Sequence, residues 1–391
     1  MKTSRRRFLR DVAGSSALAC WGGLAAADAG EQRARGGSVN GFAYVASSGE
    51  DGQAGSIRVF AARGGAWTCK QILPSRGPVS VAIAPSGGVL FAACFGSDDK
   101  TLPRGSVEAY AIDAADGSLR FLNRKSLALT AVGPRHITVV PDGSAVSVAV
   151  HGGGAYNVLP VTPDGALGPV SARFKETGHG MHPVRQASAH PHTALFDPSG
   201  RFFVATDEGC DRISLFELRD GNMERRCAIS APGAPGHAVL DGSGSLLVAA
   251  HAGSRSIRSY RVRMGESAAL EFLSETTLPE RGRGDFDGGV SLAMHPSQSS
   301  IYALNVCGDG DVSSWRIDGV TGTLTPIDAS GCGRGSLSAP AISRDGRVLF
   351  AIDRVGVSIV GVGLDDGGRI AGSAGFCASV PNVTSFALKE C

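Results

Sequence analysis

Histidine is the one side chain whose unperturbed charge changes near neutral pH, and this chain carries nine of them. Two stand close together, His190 and His192, with Arg185-Gln186 before them and Asp207-Glu208 after. Arg135-His136 and His151 lie upstream, His237 and His251 downstream. Opening an ester with water needs an activated water, a donor for the developing oxyanion and a proton for the departing alkoxide. A histidine can serve as the base, with an acidic neighbour to orient its ring. An arginine can clamp a carboxylate or phosphate through two parallel hydrogen bonds. On that chemistry His190, His192 and Glu208 are the catalytic candidates. Arg135, His136, His151, Arg185, Gln186, Asp207, His237 and His251 are the candidates for holding the substrate. Each has a plainer role open to it: a hydrogen-bonded polar rim for the histidines, a turn or cap for Asp207, a local ion pair for Asp211-Arg212.

His136, His151, His192, His237 and His251 would bind a metal only if three or four of them met with supporting partners. Nothing in their spacing demands this, and no CxxC pair occurs. Ser nucleophile elbow, phosphate loop and dinucleotide fingerprint are all lacking. Neither a metal nor a cofactor is expected, and the partner expected is a small molecule.

Residues this far apart need a fold that gathers them. An apolar strand ends at a Pro/Asp/Ser-Gly turn, a second strand of small residues follows, then a Gly-rich loop and a third, alternating strand. The unit recurs as Pro85-Ser86-Gly87 before Val89–Ala93, Pro141-Asp142-Gly143 before Val146–Ala149, and Pro198-Ser199-Gly200 before Phe202–Ala205. It returns at Gly242-Ser243-Gly244, at Pro296-Ser297 and at Asp345-Gly346. The turn glycines 87, 143, 200 and 244 are spaced 56, 57 and 44 residues apart. Several short strands in a repeat of about fifty residues are the arithmetic of a β-propeller. Six copies are visible. Phe42–Ala46 and Ile57–Phe60 imply a seventh, with Val380–Leu388 returning to pair with them and close the ring, because an open ring would leave bare sheet edges. The expected fold is all-β, a seven-bladed propeller over residues 30–391. In such a ring the first-strand starts (Arg135-His136, His192-Thr193, Gly236-His237) and the second-strand ends (His151, Asp207-Glu208, His251, Asn305, Asp353-Arg354) converge on one channel mouth.

Composition agrees. Gly is abundant at 55 of 391 residues, and only 19% of residues are charged, for a net charge of +2. No basic stripe with interleaved aromatics points to nucleic acid, and no run of 18 apolar residues points to a membrane span in the mature chain. At the N-terminus, Ser4-Arg5-Arg6-Arg7-Phe8-Leu9-Arg10, a modest apolar stretch and Ala27-Asp28-Ala29 have the form of a twin-arginine export signal over residues 1–29. Leu18-Ala19-Cys20 is a weaker lipobox match, since Ala17 stands where Leu is usual. A periplasmic or secreted location follows. Of the nine cysteines, Cys20 would leave with the signal; the other eight are open to disulfides or to buried thiols.

Arg185-Gln186, His190–Pro198 and Asp207–Arg212 resemble the lactonase family of seven-bladed propellers, which includes propeller-type 6-phosphogluconolactonases and carboxy-muconate cyclases. The family reads Arg-Gln, Pro-His-x-His-Ser, Asp-Pro and Asp-x-Gly-x-Asp there, and Gly133-Pro134-Arg135-His136 is similar to its Gly-Pro-Arg-His element. The resemblance spans roughly residues 40–390 and implies a hydrolase opening a sugar lactone or related cyclic ester with a His, an Arg and a Glu. Its His falls in the His190/His192 stretch. Its Arg falls where this chain has Pro235-Gly236-His237, its Glu where His251-Ala252 stand, and its Asn-Arg-Gly where Asn305-Val306-Cys307 stand. Those departures motivate the alternative, a non-catalytic propeller binding a small molecule, glycan or protein. A redox or metal-dependent enzyme is the third reading.

Overall fold

The computed structural model describes residues 40–49, 55–63, 66–96, 104–219, 221–279, 289–305, 311–331, 336–372 and 375–390. The expected signal segment 1–29 and Cys307, Cys332 and Cys391 lie outside them. Among the described residues, Cys69, Cys94, Cys210, Cys227 and Cys377 are free thiols.

Each repeat folds into one antiparallel four-stranded sheet, and there are seven such sheets. The second strands Val89–Cys94, Ala145–Val150, Phe202–Asp207 and Leu246–His251 are buried almost throughout. Blades pack against both faces of these strands, so they carry apolar runs instead of alternation. The outer strand Asn222–Ser230 alternates exposed and half-buried residues because only one face is covered. At the hairpins, Gly87, Gly143, Gly200, Gly244 and Gly346 all have φ between 70° and 78°, the left-handed region that costs glycine nothing. Blade 6 places Gln298 at this position with φ 59°, its amide donating to His295 O at 2.7 Å as the glycine amides do to their own turns.

The ring closes as expected. Val383–Glu390 returns as the inner strand of blade 1 and pairs with Gly41–Ser47 from Gly41↔Glu390 to Ser47↔Val383. Each inner strand touches the next: Val383–Glu390, Pro78–Ile83, Pro134–Val139, Pro191–Phe196, Pro235–Leu240, Val290–Met294 and Leu337–Ile342, which touches Val383–Glu390 again. The inner strands thus form a continuous ring around the channel, each being the inner edge of its own sheet.

Two local features aim side chains at the mouth. First, the pairing of inner and second strands skips a residue just inside the start of blades 2, 3 and 4, leaving Val79, Arg135 and His192 unpaired, and it skips Gly236-His237 in blade 5. A bulge of this kind re-aims the side chain it frees. Second, the inner strands begin opposite Cys94, Val150, Asp207, His251 and Asp353. The next residue of each blade is thus the same rim position: Phe95, His151, Glu208, Ala252 and Arg354.

Candidate active site

The rim residues of blades 3 and 4 meet. His151 Nε2 lies 2.6 Å from Glu208 Oε1, with side chains 35% and 29% exposed. A carboxylate accepts only, so the shared proton sits on His151 Nε2 when the ring is neutral, and Nδ1 keeps a lone pair. The His190 ring stacks on His151 with centroids 4.5 Å apart and planes 14° from parallel. His190 Nδ1 donates to the His151 carbonyl at 3.1 Å, which fixes its tautomer. Close approach is needed beneath this stack: a Cβ on Gly209 would come within 2.8 Å of His190 Cδ2.

Arg135 and His192, the bulge residues of blades 3 and 4, form the second contact. Arg135 Nε donates to His192 Nε2 at 3.3 Å, and His192 Nδ1 therefore donates to Thr193 Oγ1 at 2.9 Å. Burial, reinforced by Arg135 and the surrounding histidines, holds His192 well below the ordinary imidazole range, so its ring is a neutral acceptor. His237 meets His192 edge-on, centroids 6.2 Å apart, and its Nδ1 accepts from Leu292 N at 3.2 Å. Burial and His136 lower it to about 3. His136 is lowered to about 4 by burial and Arg135, and its Nδ1 is enclosed without a hydrogen-bond partner. Arg354 reaches the same neighbourhood from blade 7: its Nε donates to Ser338 Oγ at 2.9 Å, and partial burial and then the charge of Arg135 lower its pKa.

Three sequence candidates serve the framework. Gln186 Nε2 donates to Glu208 O at 2.6 Å and to Asp211 Oδ1 at 2.8 Å, while its Oε1 accepts from His182 N. Its amide positions the Glu208 backbone. Asp207 Oδ1 accepts from the amides of His190, Gly209 and Cys210 at 2.8–3.0 Å; Asp353 caps Val355 and Gly356 in the same way in blade 7. His251 is fully buried and spends its nitrogens on Pro232 O and Tyr260 OH, so it is not brought into the cluster. Arg185 is exposed on a turn whose His182 Nδ1 accepts from the Val184 and Arg185 amides. Asp211 accepts from Gln186 and from Ala234 N, and Arg212 pairs with Glu176 at 2.9 Å, not with Asp211.

The family pattern's missing Arg and Glu also gain an account. Gly236 occupies the bulge that Arg135 fills two blades earlier, and Ala252 the rim position that Glu208 fills one blade earlier. An arginine and a glutamate stand instead at the equivalent positions of blades 3 and 4. Among the described residues no cluster of three His, Cys, Asp or Glu is arranged to hold a metal, and no helix is long and apolar enough to cross a membrane.

Comparison with known proteins agrees with this geometry. Residues 42–234 match the family model described as lactonase, 7-bladed beta-propeller. Over those residues, just under half of its length, the chain is similar to the lactonase family. The match contains His151, Glu208, Arg135 and His192; Arg354 lies beyond it. The 6-phosphogluconolactonase of Bacillus subtilis strain 168 is 34% identical over 158 residues, which is 40% of this chain and 43% of that protein. The chain matches less than half the length of its curated relatives. Among solved structures, the Pseudomonas aeruginosa periplasmic gluconolactonase superposes with a TM-score of 0.75 at 19% identity, over 89% of this chain and 98% of that one. A Lactobacillus plantarum protein superposes at 0.78 and 17% identity, over 90% and 100%. At such identities the superpositions speak for the propeller fold alone.

Proposed function

We propose that this lactonase-family propeller is an exported hydrolase that opens a sugar lactone or related cyclic ester, with His151 and Glu208 as its catalytic pair. The observation that carries this is the 2.6 Å contact between His151 Nε2 and Glu208 Oε1 at a partly open channel mouth. Glu208 holds the imidazole in the tautomer whose Nδ1 accepts a proton from water, as a carboxylate orients the base in other histidine-dependent hydrolases. The hydroxide so formed adds to the lactone carbonyl. Arg135, whose Nε is spent on His192, offers its remaining N–H groups to the oxyanion or to a substrate carboxylate. Collapse breaks the ring C–O bond, and His151 returns its proton to the alkoxide, leaving a hydroxy acid. His192, expected as a base, has its lone pair engaged by Arg135, so the base role passes to His151, while Glu208 keeps its orienting role.

The Ser4–Arg10 signal pattern supports export to the periplasm or beyond, and export favours an unphosphorylated substrate over a cytosolic sugar phosphate. The test is pH-stat titration of glucono-δ-lactone and a panel of related lactones. Wild-type protein should open at least one faster than buffer, and His151→Asn should remove the excess. No excess over the whole panel, phosphorylated lactones included, overturns the reading.

A further inference from the structure

We propose that Phe95 is the platform on which the substrate ring stacks, and that it selects lactones presenting a face of polarised C–H bonds, as carbohydrate rings do. The inference rests on the functional reading above. Phe95 is the blade 2 counterpart of His151 and Glu208: each follows the residue opposite the start of its inner strand. Its backbone is fixed, with the Phe95 amide donating to Gly77 O at 2.9 Å and the Gly96 amide to Arg76 O at 2.9 Å. Yet the side chain is 57% exposed and belongs to none of the apolar clusters between the blades.

The ring leans towards blade 3. A Cβ on Gly133 would lie 3.6 Å from Phe95 Cε1 and 3.3 Å from the Gly152 amide nitrogen. Phe95 thus reaches over Gly133, which leads into Pro134-Arg135 and whose Cβ position lies against Gly152, the residue after His151. A side chain at Gly133 would meet the ring, and φ there is +65°, so glycine keeps this seat open. A large apolar side chain left in water beside a polar cluster costs hydration free energy that folding does not recover; a ligand that covers it does. An aromatic face carries negative charge density, and the C–H bonds of a hydroxylated ring carry positive. The adjacent blade carries His151 at the equivalent rim position, paired with Glu208 of the blade beyond, and this pair would meet the polar edge of the same ligand. On blade 5 the corresponding residues are Gly236 and Ala252, which add no bulk.

The test is isothermal titration with 1,5-anhydro-D-glucitol, a hydroxylated six-membered ring with no carbonyl to open, alongside kinetics on glucono-δ-lactone and on δ-valerolactone, which has no ring hydroxyls. Phe95→Leu keeps apolar area without the π face. It should weaken anhydroglucitol binding and raise KM for gluconolactone about tenfold, with little change for valerolactone, while Phe95→Trp retains both. Equal anhydroglucitol affinity in wild type, Phe95→Leu and Phe95→Ala overturns the platform, whatever the turnover. Absence of turnover with binding still lost in Phe95→Leu overturns the hydrolase and leaves the platform standing. Melting temperatures of the variants check that each is folded.

Discussion

Glu208 and His151 occupy the same position of neighbouring blades, 57 residues apart, so their 2.6 Å contact is an encounter between two copies of one repeat. The repeat puts a residue at this rim position in blades 2 to 5 and in blade 7. Chemistry arises only where the pair is complementary, as on blades 3 and 4. Both side chains are partly exposed, so the pair adds little to folding and can be removed without disturbing the core.

That separation sets the first prediction. Glu208→Gln and His151→Asn should each lower kcat for a lactone substrate by about 10²–10⁴-fold, the usual worth of a positioned base. The double variant should be scarcely worse than either single, because the two act as one unit. Melting temperatures should stay near wild type. Additive losses in the double variant would mean that the two residues work independently.

The ring and the convergence on its mouth were legible in the sequence, because turn glycines and apolar second strands repeat with the blades. The roles within the site were less so. The histidines near the family-like stretch stood out by type, yet His192 is held neutral by burial and by Arg135, a contact between blades that no local pattern encodes. Gln186 and Asp207 looked like ligands for a substrate and are spent on the backbone around Glu208. Phe95 escaped notice because it is apolar. Its signal was positional: Cys94-Phe95-Gly96, Val150-His151-Gly152 and Asp207-Glu208-Gly209 are one element in three copies.

Asp207 should prove structural. Its Oδ1 takes three amide hydrogens, and each donor stranded by Asp207→Ala costs about 1–3 kcal/mol. The alanine variant should lose melting temperature and activity together. Asp207→Asn keeps Oδ1 and replaces Oδ2, which is enclosed without a partner. Burial raises the Asp207 pKa, so at pH 7 the native charge is a cost that asparagine removes. Thermal unfolding should therefore find Asp207→Asn at least as stable as wild type; a loss equal to that of alanine would assign the cap to the charge.

Acid should destabilise the ring through its inner histidines. His136 is lowered to about 4 and His237 to about 3, whereas an unfolded chain titrates near 6.5. Between those values the unfolded state binds protons that the folded state refuses, so stability is complete above about pH 6.5 and falls as pH drops towards 4. Ser80 and Thr193 hold the His136 position on blades 2 and 4, which makes His136→Thr a substitution the repeat already tolerates. Melting temperatures read from pH 7.5 to 4.5 should fall less steeply in His136→Thr than in wild type. Parallel curves would remove His136 from the account.

Gly236 tests whether the site can be returned to the family pattern. A Cβ there would sit 3.4 Å from Glu208 Oε2 and 3.5 Å from His192 Cδ2, so Gly236→Ala should fold and retain most activity. Gly236→Arg restores the family's arginine at this bulge, but in this chain a guanidinium would meet Glu208 directly. Pairing with it stabilises the carboxylate and competes with His151 for Oε1. The arginine variant should thus lose activity, by about tenfold or more in kcat, while remaining folded, and Glu208→Gln added to it should cost little further. A gain in lactone opening by Gly236→Arg would instead mean that the site lacks a cation at blade 5, and that Arg135 does not replace it from blade 3.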